Sequence, residues 1–208
     1  MKLSYAIPVK DELIKITNLL SFLIKNKDDE DEIVILFDSK NGSKGVEDYL
    51  RAKSVNSPEF SWYPYEFDGH FANMKNHLTS LCSGDWIVQL DADEMVGKQF
   101  IPWVKGSIEA NPEVHAFYVP RINTVEGLTQ SHIDKWRWKV DEKGWVNFPD
   151  LQQRVYINNG VVKWKNKVHE VLEGNDFFGI FPNHEEICIL HHKDIKRQEK
   201  QNNYYDTL

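Results

Sequence analysis

In the stretch GDWIVQLDADE, the apolar run at residues 86–90 ends abruptly in three carboxylates, Asp91, Asp93 and Glu94. Side chains alternate along extended backbone, so Asp91 and Asp93, separated by Ala92, point to one side. Hard divalent cations take oxygen ligands, and one or two carboxylates plus substrate phosphates complete the shell of Mg2+ or Mn2+. A carboxylate pair at the end of a buried strand is therefore suited to holding a metal-bound diphosphate. The bland alternative is a solvated loop, or a helix N-cap at Asp93. A second apolar run, EIVILFD, also ends on a carboxylate, Asp38.

The elements that must position these groups show in the periodicity. Residues 3–9 form a short apolar strand that contains Pro8 and ends at Val9. Leu13, Ile16, Leu20, Leu23 and Ile24 then recur at helical spacing, with Asp11 and Glu12 placing negative charge in the first turn. The acidic run 28–32 reads as a solvated loop. Residues 32–37 are apolar on both faces, as in a central parallel strand. A polar turn, DSKNGSKG, a helix at 46–53, a strand at 60–65, a helix at 73–81 and the strand at 86–90 follow. This βαβ series implies an open parallel sheet with right-handed crossovers. Ligands of such sheets bind beyond the carboxyl ends of the strands, so Asp38 and Asp91 face one crevice.

The second half reads as a helix at 98–110, a strand at 116–122 and a Trp-rich stretch, DKWRWKVDEKGWVNF. Strands at 153–157 and 161–164 flank Asn158-Asn159-Gly160, a hairpin turn signal. A strand at 187–190 and a polar helical tail at 194–205 close the chain. The expected organisation is one domain in two halves, 1–97 for the donor and 98–208 for the acceptor.

With 208 residues, 41% apolar, and 7 Trp, 8 Tyr and 11 Phe, the chain has a sizeable core. A net charge of −7 speaks against a protein built mainly to neutralise nucleic-acid phosphates. Cys82 and Cys188 are far apart and have no metal-ligand spacing, so they read as reduced thiols. No apolar run approaches the ~20 residues of a bilayer span. The N-terminus enters a strand directly, without a signal-peptide pattern. The expected location is cytoplasmic, with the inner membrane face as a peripheral alternative.

At this point the motifs resemble the family 2 glycosyltransferases. SYAIPVKDELIKITNLLSFL is similar to the opening of that family, EIVILFDSKNGS to its second strand and turn, and HFANMKNHLTSLCSGDWIVQLDADE to the segment leading into its DxD motif. The likeness covers about the first 100 residues, in order. The later half resembles a branch that includes bacterial lipooligosaccharide-type glucosyltransferases, through LQQRVY (Arg154), KVHE (His169, Glu170), ILHH (His191, His192) and a basic helix. The resemblance implies an α/β, GT-A-like fold: an open, mainly parallel sheet flanked by helices, with a smaller mixed acceptor-side region. It implies metal-dependent, inverting transfer of a sugar, a hexose first, from a nucleotide-diphosphate sugar, a UDP-sugar first. Pro8, Val9, Asp38, Lys75, Asp91, Ala92 and Arg154 would bind the donor. Lys75 stands where the family has Arg, keeping the charge and losing the bidentate fork. Asp91, Asp93 and His191 or His192 would hold Mn2+ or Mg2+. Glu170 is the first candidate for the base that deprotonates the acceptor, with Asp150 second and His169 orienting either base or metal.

Two other classes compete. A nucleotidyltransferase would show a Gly-rich loop after its first strand, and PVKDEL has no Gly. A non-catalytic nucleotide- or sugar-binding module would have its base or Asp93 misplaced. The acceptor is open among a glycan, a lipid-linked sugar, a protein and a modified DNA base. Trp136 and Trp138 are candidates for stacking on it, against a second small core made with Trp145 and Trp164. Arg121 and Arg154 read equally as anion binders or structural ion pairs. Lys163, Lys165 and Lys167 read as a solvated strand edge or a dock for an anionic acceptor.

Overall fold

The computed structural model describes residues 1–55, 57–174 and 176–205. The first half runs β1 (Leu3–Val9), α1 (Leu13–Asn26), β2 (Glu32–Asp38), α2 (Lys44–Val55), β3 (Ser61–Tyr65), α3 (Phe71–Ser80) and β4 (Trp86–Gln89). The second half runs β5 (Glu94–Val96), α4 (Phe100–Ala110), β6 (Ala116–Glu126), α5 (Gln130–Trp136), β7 (Val146–Ile157), β8 (Lys163–Lys165), β9 (Val171–Glu173), β10 (Phe178–Ile180), β11 (Ile189–Asp194) and α6 (Ile195–Tyr205).

Among the described residues one sheet follows the order β3-β2-β1-β4-β7-β6-β11-β5, with β10 also paired to β6. β3, β2, β1 and β4 are parallel, joined by helical crossovers as the βαβ pattern requires. β7 then runs antiparallel between β4 and β6, so the sheet passes without a break from one half of the chain to the other. The fold is the expected α/β architecture, with a small antiparallel β8–β9 pair set apart from the main sheet.

Helices cover both faces. Ile16, Leu19, Leu20 and Leu23 of α1 are fully buried on one face with Phe100 and Val104 of α4. Each such side chain contributes roughly 1.5–3 kcal/mol by leaving water. On the other face Met74 and Leu78 of α3 pack with Ile87, Tyr156, Trp164 and Leu172.

Several expectations change. The hairpin around Asn158-Asn159-Gly160 does not form: both edges of β7 are already taken, by β4 and β6. The chain instead leaves the sheet, anchored by the Asn158 amide donating to the Cys82 and Gly84 carbonyls, and β8 pairs with β9. Asp11 and Glu12 precede α1 rather than lying in its first turn. Glu12 Oε2 instead accepts the backbone N–H groups of Lys10 (2.9 Å) and Asp11 (3.0 Å). The acidic run 28–32 is not all solvated: Asp31 is buried, accepting from Leu3 N–H and Lys105. The four tryptophans do not share a core. Trp164 is buried, while Trp136 and Trp138 touch each other on the α5 arm and Trp145 packs on Phe148.

Glu32 ties the amino ends of the first strands together. Burial opposes its ionisation, but hydrogen bonds from Ser4, the Ser83 backbone, Lys2 and the Ser83 hydroxyl outweigh it and hold the carboxyl at about 2, against 4.5 ordinarily. A lowered folded-state value gives stability that is present above pH 4.5 and lost as pH falls toward 2. The expected outcome is that wild type melts higher than Glu32→Gln at neutral pH, and that the gap closes across this window. Parallel melting curves by circular dichroism check it; a constant gap down to pH 2 contradicts the assignment.

Candidate active site

The carboxyl ends of β1, β2 and β4 open into a cleft of about 840 Å³. Pro8, Val9, Asp38, Lys75, Asp91, Ala92, Asp93, Arg154, Glu170 and His191 all line it. Residues from both halves therefore meet in one place.

The β2 end is shaped by a tight turn. Asp38 Oδ1 accepts the backbone N–H groups of Lys40 (3.1 Å) and Asn41 (3.0 Å), and Gly42 N–H returns to the Asp38 carbonyl at 2.7 Å. A Cβ at Gly42 would lie 2.3 Å from that carbonyl oxygen and from the Phe37 ring, so only glycine closes the turn.

The three carboxylates after β4 divide their labour. Asp91 is partly exposed to the cleft and Asp93 less so, whereas Glu94 is buried. Glu94 Oε2 accepts the Asp91 N–H at 2.9 Å. Its Oε1 accepts from Arg154 Nη2 (2.7 Å) and Arg121 Nη1 (2.9 Å). Arg154 Nη2 also donates to Asp91 Oδ2 at 2.6 Å. Burial raises the Asp91 carboxyl, but the Arg154 and Lys75 charges overcome this and lower it. Arg154 is thus a buried partner of Asp91 and Glu94, and it reaches the cleft only as part of that knot. Glu94 is a residue that sequence reasoning left without a role. The signal for it was two arginines, Arg121 and Arg154, inside strands that are otherwise largely apolar; such groups demand a buried carboxylate.

β11 pairs antiparallel with β5, with His191 opposite Glu94. Strand alternation turns His191 and Lys193 inward and His192 outward, where His192 Nδ1 meets Thr124 Oγ1 at 2.9 Å. His191 Nε2 lies 3.5 Å from Asp93 Oδ2. The tautomer follows from a chain of contacts. Asp150 only accepts, so the Asn123 Nδ2 that reaches it at 2.8 Å fixes that amide's orientation. Asn123 Oδ1 then faces His191 Nδ1 at 2.8 Å, so Nδ1 carries a proton and donates it to that oxygen, which leaves Nε2 as the ring nitrogen turned toward Asp93. For Asp93, burial is outweighed by His191, Lys193 and Arg197, which hold the carboxyl well below the usual range. Arg197 on α6 pairs with Glu12 and stands 3.7 Å from Asp93.

Among the described residues no group of three or more His, Cys, Asp or Glu is gathered as a ready metal cage. The Asp93–His191 pair nonetheless fits a divalent ion. Neighbouring ligands on an octahedral ion with bonds of about 2.1 Å stand about 3 Å apart, and such ions take further ligands from phosphates and water. A carboxylate with a neutral imidazole suits Mn2+ better than Mg2+.

Glu170 enters from the β8–β9 hairpin. Asn76 on α3 holds that hairpin by two backbone bonds, Nδ2 to the Trp164 carbonyl and Oδ1 from the Trp164 N–H, each 2.9 Å. The loop turns through two non-glycine residues at positive φ, Asn166 (76°) and His169 (53°). Such backbone costs of order 1–3 kcal/mol each. Glu170 Oε1 then lies 3.6 Å from Lys75 Nζ, which sits 4.4 Å over the Trp164 ring. Burial pushes the Lys75 ammonium down, against the pull of Asp91.

Other candidates are not brought to the cleft. Asp150 is held by Arg121, Asn123 and Gln152 and lines an adjoining depression of about 270 Å³ together with Trp138. Burial raises its carboxyl, but Arg121, Asn123 and Gln152 more than reverse this and lower it. Trp136 lines neither cavity. Lys163, Lys165 and Lys167 are exposed on the hairpin.

The cleft thus combines carboxylates at the ends of parallel strands with Lys193, Arg197 and Lys200 on its C-terminal wall. The chain belongs to glycosyl transferase family 2, whose model matches residues 4–171. None of the curated proteins matches it significantly. Among solved structures it is similar to S. aureus TarS 1–349, with TM-score 0.64 and 13% identity over 92% of this chain and 60% of that one. The same protein in complex with UDP-GlcNAc gives TM-score 0.65 at 13% identity, over 93% of this chain and 59% of that one. The mannosyltransferase PcManGT from Pyrobaculum calidifontis, in complex with GDP-Man and Mn2+, gives TM-score 0.51 and 17% identity over 57% of this chain and 35% of that one. The chain therefore spans about three fifths of the length of the TarS structures.

Removing one partner of a buried ion pair leaves uncompensated charge and costs about 3–5 kcal/mol. At roughly 2–4 °C per kcal/mol for a chain of this size, Glu94→Ala is expected to melt about 6–20 °C lower than wild type. Glu170→Gln, which leaves the knot intact, is expected to melt within a few degrees of wild type. Scanning calorimetry of the two variants checks the contrast.

Proposed function

We propose that the chain transfers a sugar, a hexose first, from a nucleotide-diphosphate sugar to an acceptor hydroxyl with inversion, using Mn2+ or Mg2+. The observation that carries this is the convergence of Asp38, Asp91, Asp93, His191, Lys75 and Glu170 on one cleft. The crystallisation of TarS with UDP and UDP-GlcNAc, and of PcManGT with GDP-Man and Mn2+, supports a nucleotide sugar as donor, with a UDP-sugar first.

In this reading Asp38 and the backbone at Pro8 and Val9 receive the base. Lys75, Asp91 and Ala92 bound the ribose and diphosphate, with Lys193 and Arg197 facing them from the C-terminal side. Asp93 and His191 would hold a divalent ion, with Asp91 beside them, and the chemistry such an ion would supply is Lewis-acid neutralisation of charge on the departing diphosphate. Asn123 and, behind it, Asp150 keep His191 Nε2 free to ligate. Glu170 takes the proton of the acceptor hydroxyl as that oxygen bonds to the sugar carbon and the sugar–phosphate bond breaks. Lys75, 3.6 Å away, holds the Glu170 carboxylate in place. Asp150 is the weaker base, because Arg121, Asn123 and Gln152 occupy it.

The test is a screen of UDP- and GDP-sugars for slow hydrolysis with Mn2+ or Mg2+. Wild type is expected to release nucleotide in a metal-dependent way, Asp93→Ala to lose metal stimulation, and Glu170→Gln to fall by about 10²–10⁴-fold. Metal stimulation unchanged in Asp93→Ala would remove the metal assignment, and full activity in Glu170→Gln would remove the base.

A further inference from the structure

Beyond the cleft, the same sheet face continues as an apolar strip. Tyr118 on β6 is the register partner of Gln153 on β7 and of Ile180 on β10, so the three form a row across one face. Phe178, two residues before Ile180, shares that face, and its ring meets Tyr118 edge-on at 5.1 Å. The other face of β10 is closed. A Cβ on Gly179 would lie 2.5 Å from the Phe117 ring, so the strand lies flat on Phe117 and turns Phe178 and Ile180 outward. These two are 54% and 58% exposed, and Leu151 and Val171, at 38% and 43%, carry the strip to the cleft they help to line.

Single exposed apolar side chains are ordinary, but a contiguous strip marks an interaction surface. This one begins at Val171, the residue after Glu170. Lys165 is the register partner of Val171 and Lys163 that of Glu173, so one exposed hairpin face carries both lysines together with Glu173, which lies 3.9 Å from Lys165. Whatever brings a hydroxyl to Glu170 therefore meets apolar surface bordered by two lysines and one glutamate, an edge of net positive charge.

We propose that the acceptor is amphiphilic: a sugar joined through an anionic phosphate to a lipid chain. The chain lies along Leu151, Tyr118, Phe178 and Ile180, and the phosphate sits near Lys163 and Lys165. This rests on the reading of the cleft as a sugar-transfer site.

The test reads binding apart from catalysis. n-Alkyl phosphates and n-alkyl glucosides of increasing length, below their micelle concentrations, are titrated into the full chain by calorimetry, with donor hydrolysis followed in parallel. Affinity is expected to rise by up to about fourfold per methylene, the limit for complete burial, and phosphates to bind tighter than glucosides. A Phe178→Ser, Ile180→Ser double variant is expected to flatten the dependence on length while its melting temperature and donor hydrolysis stay unchanged. Lys163→Ser with Lys165→Ser is expected to abolish the preference for phosphate. Affinity independent of length, or a length dependence that survives the double variant, overturns the proposal even where donor hydrolysis is normal. Failure to hydrolyse any nucleotide sugar would instead sink the transfer reading beneath it.

Discussion

Glu94 takes two guanidinium groups on a single carboxylate oxygen and gives its other oxygen to the backbone of Asp91. Taking such charges out of water costs several kcal/mol per ion, so the arrangement persists because each charge meets an opposite one at hydrogen-bond distance, even though the buried Arg154 Nε has no partner among the described residues. Arg154 closes onto Asp91, and Arg121 closes onto Asp150. The knot joins β5, β6 and β7, and through Asp150 and Asn123 it reaches His191 on β11. The carboxylates that face the cleft are thus held from behind by a buried one. The turn after β4 cannot shift without breaking charge-assisted bonds in a low dielectric.

The second anchor is made of neutral groups. Asn76 gives both ends of its amide to the backbone of Trp164, and the Trp164 indole donates to Tyr156, whose hydroxyl meets Thr79. α3 therefore carries the hairpin that presents Glu170. The same helix turns Lys75 toward that carboxylate. Two strained residues, Asn166 and His169, are tolerated in the hairpin loop because both of its ends are fixed. Strain concentrated beside Glu170, where the surrounding strands would permit relaxed geometry, is consistent with a side chain whose position matters more than local stability.

The half of the fold before Asp91 was legible because buried parallel strands are continuous apolar runs and their helices are amphipathic, so length and period suffice. Asp38, Asp91 and Asp93 could be placed because they end such runs. The second half was harder for a physical reason. Strands of three residues, such as β8, β9 and β10, carry too little periodicity to distinguish from loops, and Asn158-Asn159-Gly160 satisfies a turn's backbone without dictating what pairs across it. Glu94 and Asp93 are neighbours of the same chemical type; only the partners each acquires, arginines some 27 and 60 residues downstream for Glu94 and His191 for Asp93, separate a buried brace from a cleft ligand. The choice between His191 and His192 depended likewise on strand parity, and ILHH puts an apolar residue on both parities.

The distribution of charge bears on the proposed donor. The protein carries a net charge of −7, yet the cleft lining holds seven Lys or Arg against six Asp or Glu. The cations come from both rims, Lys10 and Lys75 on the first half, Lys193, Arg197 and Lys200 on the last. Arg121 and Arg154 are answered from behind by Glu94 and Asp150, so the cations left to face the opening are those of the two rims. Arg197 pairs with Glu12 and faces Asp93, which it shares with His191 and Lys193. A divalent ion arriving with the diphosphate would take up the charge on Asp93 that Arg197 now partly neutralises. On the proposed reading, donor binding would then require exchange of partners rather than creation of new charge in the cleft.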